Sequence, residues 1–281
     1  MDAQRRQHYE LEKKLAARIR SSSPADRSRI VAECYDEMYS TITWHPTLRP
    51  SSEKIAKLVQ GCLLSFDRLV PDSGDVLEIG CGTGDVAMAL AAHHPHTKIV
   101  ATDVSTIILA GALGNANLTF KSLEGTTLPF ADASFDLVYH SQLLDHLHPD
   151  DVPTHFDEVF RVLRPGGLFA FDTPNGVTGP YDISDGFDPV ATGFHLREWT
   201  YADIAGMCSV RCDIEAAWTD LPALGVLGRG LNWSALMIRC PLSPKVFLER
   251  ILARFPGHRL RRGLGRALGV NGLHVVIRKS R

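Results

Sequence analysis

Several features that define other protein classes are missing from this 281-residue chain. No apolar run approaches the ~18 residues that a membrane-spanning helix requires. The N-terminal stretch MDAQRRQHYELEKKLAARIR is charged throughout, so we expect no secretory signal. The six cysteines include no CxxC pair, which favours a reduced, cytoplasmic, enzyme-like protein.

The overall charge is also small. A formal net charge of −2 gives the chain no general attraction to nucleic acid or membranes. With 44% hydrophobic and 22% charged residues, the composition is globular, and the length suffices for one large domain or two small ones. The sequence shows no internal repeat and no low-complexity tract.

Short apolar runs alternate with helical patterns along most of the chain. Three helices come first: one with apolar residues at spacing four from Leu11, one beginning at Ser23 and Pro24, and one at 51–69. We then predict helices near 84–93, 105–115 and 152–163, and strands at 76–80, 98–103, 118–120, 135–140, 167–173, 212–218 and 272–279. This alternation favours a parallel sheet covered by helices on both faces.

The junction of the first strand and its helix reads DVLEIGCGTGDVAMALA, with alternate glycines at 80, 82 and 84. Glycines at a strand end let a ligand approach the backbone, and the next helix offers unpaired N–H groups. The dinucleotide fingerprint needs a glycine at position 85, where Asp85 stands, and no phosphate-binding lysine is nearby. Glu78 and Asp85 would repel an anion, so the loop favours a cationic ligand with an adenosine body.

The segment VLEIGCGTG resembles the first motif of the class I S-adenosylmethionine-dependent methyltransferases that act on small molecules. Four further segments agree with that family in order and spacing: IVATDVS, LEGTTLPF, SFDLVYHSQLLDHL and VLRPGGLFAFDTPN. The resemblance covers roughly residues 70 to 205 and implies S-adenosyl-L-methionine as the cofactor.

The resemblance also implies the architecture. We expect an α/β fold with a Rossmann-like, seven-stranded, doubly wound sheet in the order 3-2-1-4-5-7-6. The domain boundaries that we predict are an N-terminal helical lid at 1–70 and a cofactor domain at 71–281. Within that domain we expect an acceptor-side lid at 174–199, because loops of this length in compact domains are usually functional, and a basic insertion at 221–268.

Cofactor-binding residues follow from the same resemblance. It places Asp103 on both ribose hydroxyls, Glu124 on the adenine amino group and the Gly125 N–H at the adenine ring. The backbone at His140, after the fourth strand, would contact the methionine amine. The remaining residues come from the glycine motif and the end of the second strand: Glu78, Gly80, Cys81, Gly82, Thr83, Gly84 and Val104.

Acceptor-side residues should follow strands four and five, because ligands of open α/β sheets bind at the carboxyl ends of the strands. Asp145 and His146 stand where relatives carry a pair that can include the catalytic base. Asp172 matches a position used by some sugar-modifying relatives, and His195 lies where quinone-type relatives close over the acceptor. Asp145, His146 and His195 also have structural interpretations, as a helix-start acid, a buried hydrogen-bonded histidine and a loop histidine that caps the next helix.

The resemblance predicts methyl transfer to a small-molecule acceptor, at an oxygen of a natural product, quinone or sugar. N- or carboxyl-methylation is the alternative reaction, and a non-catalytic regulatory protein that binds S-adenosylmethionine is the alternative outside catalysis. Nucleic acid is disfavoured as a partner because no RNA-binding module or NPPY motif is present. Gln142 replaces a glutamate that can help hold a metal in the quinone enzymes, so we expect no metal.

The C-terminal flank is basic. From Arg229 onward it has twelve Lys/Arg residues and one acid, Glu249. Val246, Phe247, Ile251, Leu252 and Phe255 are predicted to form an apolar helix face with arginines beside it. Such an amphipathic segment could rest on an anionic membrane, bind a phosphate-bearing acceptor or simply cover the sheet. The sequence does not indicate an oligomeric state.

Overall fold

One mixed sheet forms the centre of the molecule. The computed structural model describes residues 3–45, 47–48, 51–123, 125–222 and 237–281. The strands of this sheet are β1 (Gly74–Ile79), β2 (Thr97–Asp103), β3 (Leu118–Ser122), β4 (Phe135–Ser141), β5 (Leu163–Pro174), β6 (Ile214–Pro222), β7 (Met237–Pro241) and β8 (Gly272–Lys279).

The strands lie in the order β3-β2-β1-β4-β5-β8-β6-β7. Neighbours from β3 to β5 run parallel, whereas β8 pairs antiparallel with β5 and β6, and β7 pairs antiparallel with β6. The predicted order 3-2-1-4-5-7-6 is confirmed for seven strands, with β8 in the place of the seventh. The eighth, β7, adds an edge strand from the segment that the sequence predicts as an insertion. The strand order reverses between β1 and β4, and ligands of open α/β sheets bind at such a point.

Helices cover both faces of the sheet. They are α1 (Ala3–Arg20), α2 (Arg27–Thr41), α3 (Ser52–Phe66), α4 (Asp85–His93), α5 (Thr106–Leu109), α6 (Val152–Val162), α7 (Tyr201–Ser209), α8 (Leu242–Leu252) and α9 (His258–Ala267). None of the helices in the described residues has the length and apolar character needed to cross a membrane.

The apolar side chains of the strands alternate between two cores, as the period of two in a strand requires. In β1, Val76 packs with α3 and α4, and its neighbour Leu77 packs with α6 and α7. In β4, Leu137 and Val138 divide in the same way. Both faces of the central strands are therefore buried, as expected for a parallel sheet.

Two predicted helix limits are wrong. The second helix begins after Asp26 rather than at Ser23, because Ser23 Oγ and the Asp26 carboxylate hydrogen-bond to each other at 2.8 Å within a turn. The helix predicted at 105–115 ends at Leu109. Its continuation contains two glycines, which disfavour a helix, and Leu113 is 82% exposed, so no apolar face is buried there.

The N-terminal helices form a third core away from the sheet. Leu15 and Ile19 of α1 pack with Met38 of α2 and with Phe194 and Leu196, which belong to the long loop after β5. This core joins the two segments that the sequence predicts as lids. The functions and limits of those domains stay predictions.

Candidate active site

The glycine loop after β1 has conformations that favour glycine. Gly80 and Gly84 have φ of 73° and 80°. A Cβ on Gly84 would lie 2.5 Å from the Phe120 ring, whereas a Cβ on Gly82 would meet no described atom within 4 Å. The Gly80 N–H donates to Thr102 O at 2.7 Å, which ties the loop to β2. The loop is therefore tightly held on one side and open beside Gly82.

Asp103, at the end of β2, holds this loop from the side. Its Oδ2 accepts a hydrogen bond from the Gly82 N–H at 2.8 Å, and its Oδ1 accepts one from the Ser105 N–H at 2.9 Å. Burial raises the pKa of the Asp103 carboxyl, and the N–H donors oppose that rise. Each carboxylate oxygen can accept more than one hydrogen bond, so Asp103 keeps acceptor capacity for a ligand.

A cavity of about 670 Å³ opens beside the glycine loop. Among its lining residues are five that the sequence assigns to the cofactor: Gly80, Gly82, Asp103, Val104 and Gly125. Its other end is lined by residues of α1, α2 and the loop after β5. The cavity thus joins the predicted cofactor and acceptor sides.

Other predicted cofactor residues lie outside this lining. Cys81, Thr83 and Gly84 belong to the same loop without lining the cavity. Glu78 is buried in β1, and burial raises its pKa to about 8. Glu124 lies outside the described residues, so its predicted contact with adenine stays a prediction.

The His140 side chain is part of the core. It is fully buried, with ring centroids 5.3 Å from those of His155, Phe169 and Phe171. Burial lowers the pKa of His140 well below its ordinary value, so the ring is neutral. Only the backbone at His140 remains for the predicted contact with the methionine amine.

Asp145, His146 and His195 meet at the acceptor end of the cavity. The Nε2 atom of His195 lies 2.9 Å from Asp145 Oδ2, and the Nε2 atom of His146 lies 3.5 Å from the same oxygen. Asp145 Oδ2 is buried without an aligned hydrogen-bond donor, so neither contact has the geometry of a hydrogen bond. Three of the four predicted acceptor-side residues therefore form one cluster.

Each member of this cluster is held by a further residue. Thr173 Oγ1 donates to Asp145 Oδ1 at 2.9 Å. His146 Nδ1 lies 2.9 Å from Tyr35 Oη, and His195 Nδ1 lies 2.9 Å from Glu198 Oε1. The rings are thus oriented from outside, with their Nε2 atoms towards Asp145.

The two histidines differ in protonation. Burial by itself would lower the pKa of His195, but the carboxylates of Asp145 and Glu198 raise it to about 10. Burial lowers the pKa of His146, and the nearby His195 adds to that effect against the attraction of Asp145. Burial would raise the pKa of Asp145, yet the two histidines hold it well below its usual range. At neutral pH the cluster contains a carboxylate, an imidazolium at His195 and a neutral His146.

Asp172 belongs to a separate network. Its Oδ1 accepts hydrogen bonds from Ser141 Oγ at 2.8 Å and from Gln142 Nε2 at 2.7 Å. In the described part of the chain it has no hydrogen bond or ion pair with either histidine. Gln142 has a φ of 54° and lines the cavity, so Asp172 orients a lining residue. A catalytic role for Asp172 stays a prediction, and its hydrogen bonds go to Ser141 and Gln142 rather than to a candidate base.

A second cluster at the cavity was not predicted from the sequence. His8 Nε2 lies 2.9 Å from Glu12 Oε2 within α1, and His45 completes a group whose ligand atoms lie within 4.8 Å of one another. The i, i+4 spacing of His8 and Glu12 is the signal that could have indicated it. Asp145, His146 and His195 have similar dimensions. Both groups could hold a metal ion, so the expectation of no metal stays a prediction.

The loop after β5 is attached to α1. Arg20 donates to the backbone carbonyls of Thr192 and Gly193 at 3.0 and 3.1 Å, and Glu12 Oε1 accepts from the Phe194 N–H at 2.8 Å. These bonds hold the segment before His195 against the N-terminal helix. The position of His195 in the cluster therefore depends on α1.

Comparisons with known proteins match part of this chain to methyltransferases. Residues 76–167 match the family described as "Methyltransferase domain". A probable S-adenosylmethionine-dependent methyltransferase from Mycolicibacterium smegmatis is 34% identical over 131 residues, 46% of this chain and 48% of the relative. A malonyl-acyl-carrier-protein O-methyltransferase from Hahella chejuensis is 29% identical over 143 residues, 50% of each chain. The chain thus spans about half the length of these curated relatives.

A solved structure extends the likeness over most of the fold. An S-adenosylmethionine-dependent methyltransferase from Archaeoglobus fulgidus superposes with a TM-score of 0.51 and 16% identity, covering 85% of this chain and 99% of that one. The strand order and this likeness define the fold of the class I S-adenosylmethionine-dependent methyltransferases. Residues 76–167, from β1 into β5, are the part of that fold that matches the methyltransferase family.

Proposed function

We propose that the protein transfers a methyl group from S-adenosylmethionine to an oxygen of a small-molecule acceptor. The observation that carries this proposal is a single cavity with the glycine loop and Asp103 at one end and a neutral, oriented His146 at the other. The methyltransferase domain and the relatives named above support the same cofactor and reaction class. The cytoplasmic location remains a prediction.

The cofactor end fits S-adenosylmethionine. Asp103 is a half-buried carboxylate with spare acceptor capacity, which suits two ribose hydroxyls. The open side of Gly82 lets a ligand approach the backbone, and Gly125, with a φ of 76°, lines the same cavity. When bound, the sulfonium supplies an activated methyl group, so the protein chiefly positions the acceptor.

His146 is the better candidate for the base. Its Nε2 is 3.5 Å from Asp145 Oδ2, longer than a hydrogen bond, so this nitrogen can take a proton from an acceptor hydroxyl. Tyr35 holds Nδ1 and fixes the ring. Asp145 then stabilises the imidazolium that forms, since an opposite charge nearby favours the charged form.

His195 has a different role. Because its pKa is raised to about 10, it keeps its proton over the physiological range and cannot act as a base there. It instead neutralises Asp145 and positions it beside His146. The two histidines that the sequence leaves as equal candidates are therefore distinguished by their surroundings.

Methyl transfer from labelled cofactor tests this assignment, with acceptors found by mass spectrometry in host extracts. We expect His146→Ala to lower kcat by ~10²–10⁴, while calorimetry shows nearly unchanged cofactor affinity. His96→Ala, at an exposed histidine, is the matched control.

Turnover that persists in both His146→Ala and His195→Ala would exclude histidine base catalysis. A carboxylate acceptor, which needs no base, would then be favoured, whereas cofactor binding without any methyl transfer would favour the regulatory alternative.

A further inference from the structure

The outer surface of α8 and α9 carries positive charge beside exposed apolar side chains. We define the α8–α9 face by the exposed residues Phe247, Arg250, Arg254, Phe255, Arg259, Leu260, Arg266 and Leu268. Residues 242–268 contain a single acid, Glu249, and it is buried. The exposed charge of this face is therefore entirely positive.

The buried side of α8 explains why Glu249 does not balance that charge. Glu249 Oε1 accepts hydrogen bonds from Asn175 Nδ2 and the Tyr201 N–H, both at 2.7 Å. Lys245 is also buried, with its Nζ donating to Gly269 O at 2.5 Å. The inward side chains of α8 are thus committed to the fold, and the outward ones are left for solvent or a partner.

The arginines on α9 divide between its two sides. Arg261 and Arg262 point inward: Arg261 Nε donates to Val177 O at 2.7 Å, and Arg262 forms an ion pair of 2.8 Å with Asp185. In the described part of the chain, the four arginines of the α8–α9 face have no hydrogen-bond or ion-pair partner. Two arginines of α9 therefore stabilise the fold through contacts within the protein, whereas the outer arginines are free to contact a partner.

The apolar side chains distinguish between possible partners of this face. Phe247 is 62% exposed and Leu260 is 48% exposed, each within a few residues of an exposed arginine. A nucleic-acid surface would use the arginines but leave these side chains in water. An interfacial segment of a peripheral membrane protein has the observed pattern, with apolar groups at the acyl boundary and cations at the headgroups.

We propose that the α8–α9 face docks on the surface of an anionic lipid bilayer. The phenylalanine and leucine side chains enter the boundary between headgroups and acyl chains, and the arginines contact anionic headgroups. The inner arginines of α9 hold the loop after β5, which lines the cavity through Tyr181 and Asp182. Docking therefore brings that loop close to the bilayer. The proposal does not require methyl transfer, since it concerns a face outside the cavity.

Sedimentation with vesicles tests the charge part of this proposal. We expect the full chain to bind vesicles that contain phosphatidylserine and to bind pure phosphatidylcholine vesicles much less. Each arginine near an anionic surface contributes about fivefold in affinity. Arg250→Glu/Arg254→Glu should therefore weaken binding by about 25-fold or more. Lys14→Glu/Lys98→Glu makes the same charge change at exposed positions elsewhere and should have little effect.

A second pair of variants tests the apolar part. Phe247→Ser/Leu260→Ser keeps every arginine, and we expect it to weaken vesicle binding by at least about tenfold because two inserting side chains are lost. Leu113→Ser/Val210→Ser, at residues 82% and 84% exposed, is the matched control. Melting temperatures show whether each variant is folded. No binding to phosphatidylserine vesicles, or unchanged binding of Phe247→Ser/Leu260→Ser, overturns the proposal. The proposal is also overturned if the protein binds RNA and the Phe247→Ser/Leu260→Ser variant binds RNA as well as the wild type does.

Discussion

The ion pair between His195 and Asp145 should make the stability of the protein depend on alkaline pH. The perturbation is His195→Gln, which keeps an N–H donor and removes the charge. His195 has a pKa of about 10 in the folded protein against about 6.5 in an unfolded chain. Its contribution to stability is therefore fully present below about pH 6.5 and is lost as pH rises through about 10.

The size of this contribution follows from the same values. One pKa unit corresponds to about 1.4 kcal/mol, so the difference between about 6.5 and about 10 gives an upper value on the order of 5 kcal/mol. The His195 side chain is only 12% exposed, so solvent screens the pair little. In a protein of this size, a few kcal/mol correspond to roughly 5–10 °C in Tm.

Differential scanning calorimetry of the wild type and His195→Gln measures this difference directly. We expect the variant to melt well below the wild type at pH 6.5 and the gap to narrow as the pH approaches 10. His155→Gln is the control, because burial lowers the pKa of His155 to about 4 and it stays neutral throughout this range. A gap for His195→Gln that is the same at pH 6.5 and pH 10 would refute the imidazolium, and with it the assignment of His146 as the only neutral histidine of the cluster.

Three further predictions concern the cofactor, the lid and the glycine loop. Asp103→Ala should weaken cofactor binding at least tenfold by calorimetry, because two charge-assisted hydrogen bonds of about 1.5–3 kcal/mol each are lost; unchanged affinity contradicts the ribose contact. Hydrogen exchange should show α1 and residues 174–195 more protected with cofactor and acceptor bound; equal protection excludes a closing lid. Gly84→Ala should lower Tm, because its φ is 80° and its Cβ would meet the Phe120 ring at 2.5 Å. Gly263→Ala, in a helix with no described atom near the new Cβ, should not lower Tm; equal Tm values for the two variants would show that the loop is not constrained.

The parts of the site that could be predicted lie close together along the chain. The glycine loop and Asp103 come from two adjacent strands joined by one helix, so a local pattern is sufficient to place both at the same edge of the sheet. The parallel sheet follows from the same alternation of strands and helices. Short-range patterns gave two wrong helix limits. Ser23 was predicted to begin the second helix but instead forms a turn with Asp26, and the helix predicted to continue beyond Leu109 ends there because it has no apolar face to bury.

The acceptor end could not be completed in this way. Tyr35 and His146 are 111 positions apart, and their contact exists because α2 packs over the turn after β4. Glu12 binds the Phe194 N–H across 182 positions. Nothing in the sequence near these residues indicates such partners. Asp172, a predicted neighbour of the histidines, instead binds Gln142 within a network of its own.

Periodicity and short spacing in the sequence by themselves determined the class of fold, and the resemblance to the methyltransferase family supplied the cofactor loop and the acidic and histidine candidates at the strand ends, whose roles stay predictions. Only the tertiary structure decided which histidine is charged. His146 and His195 are the same residue type with the same ordinary pKa, and they differ because His195 contacts two carboxylates whereas burial dominates at His146. Protonation in a buried cluster depends on distances between segments far apart in the chain, and folding alone sets those distances.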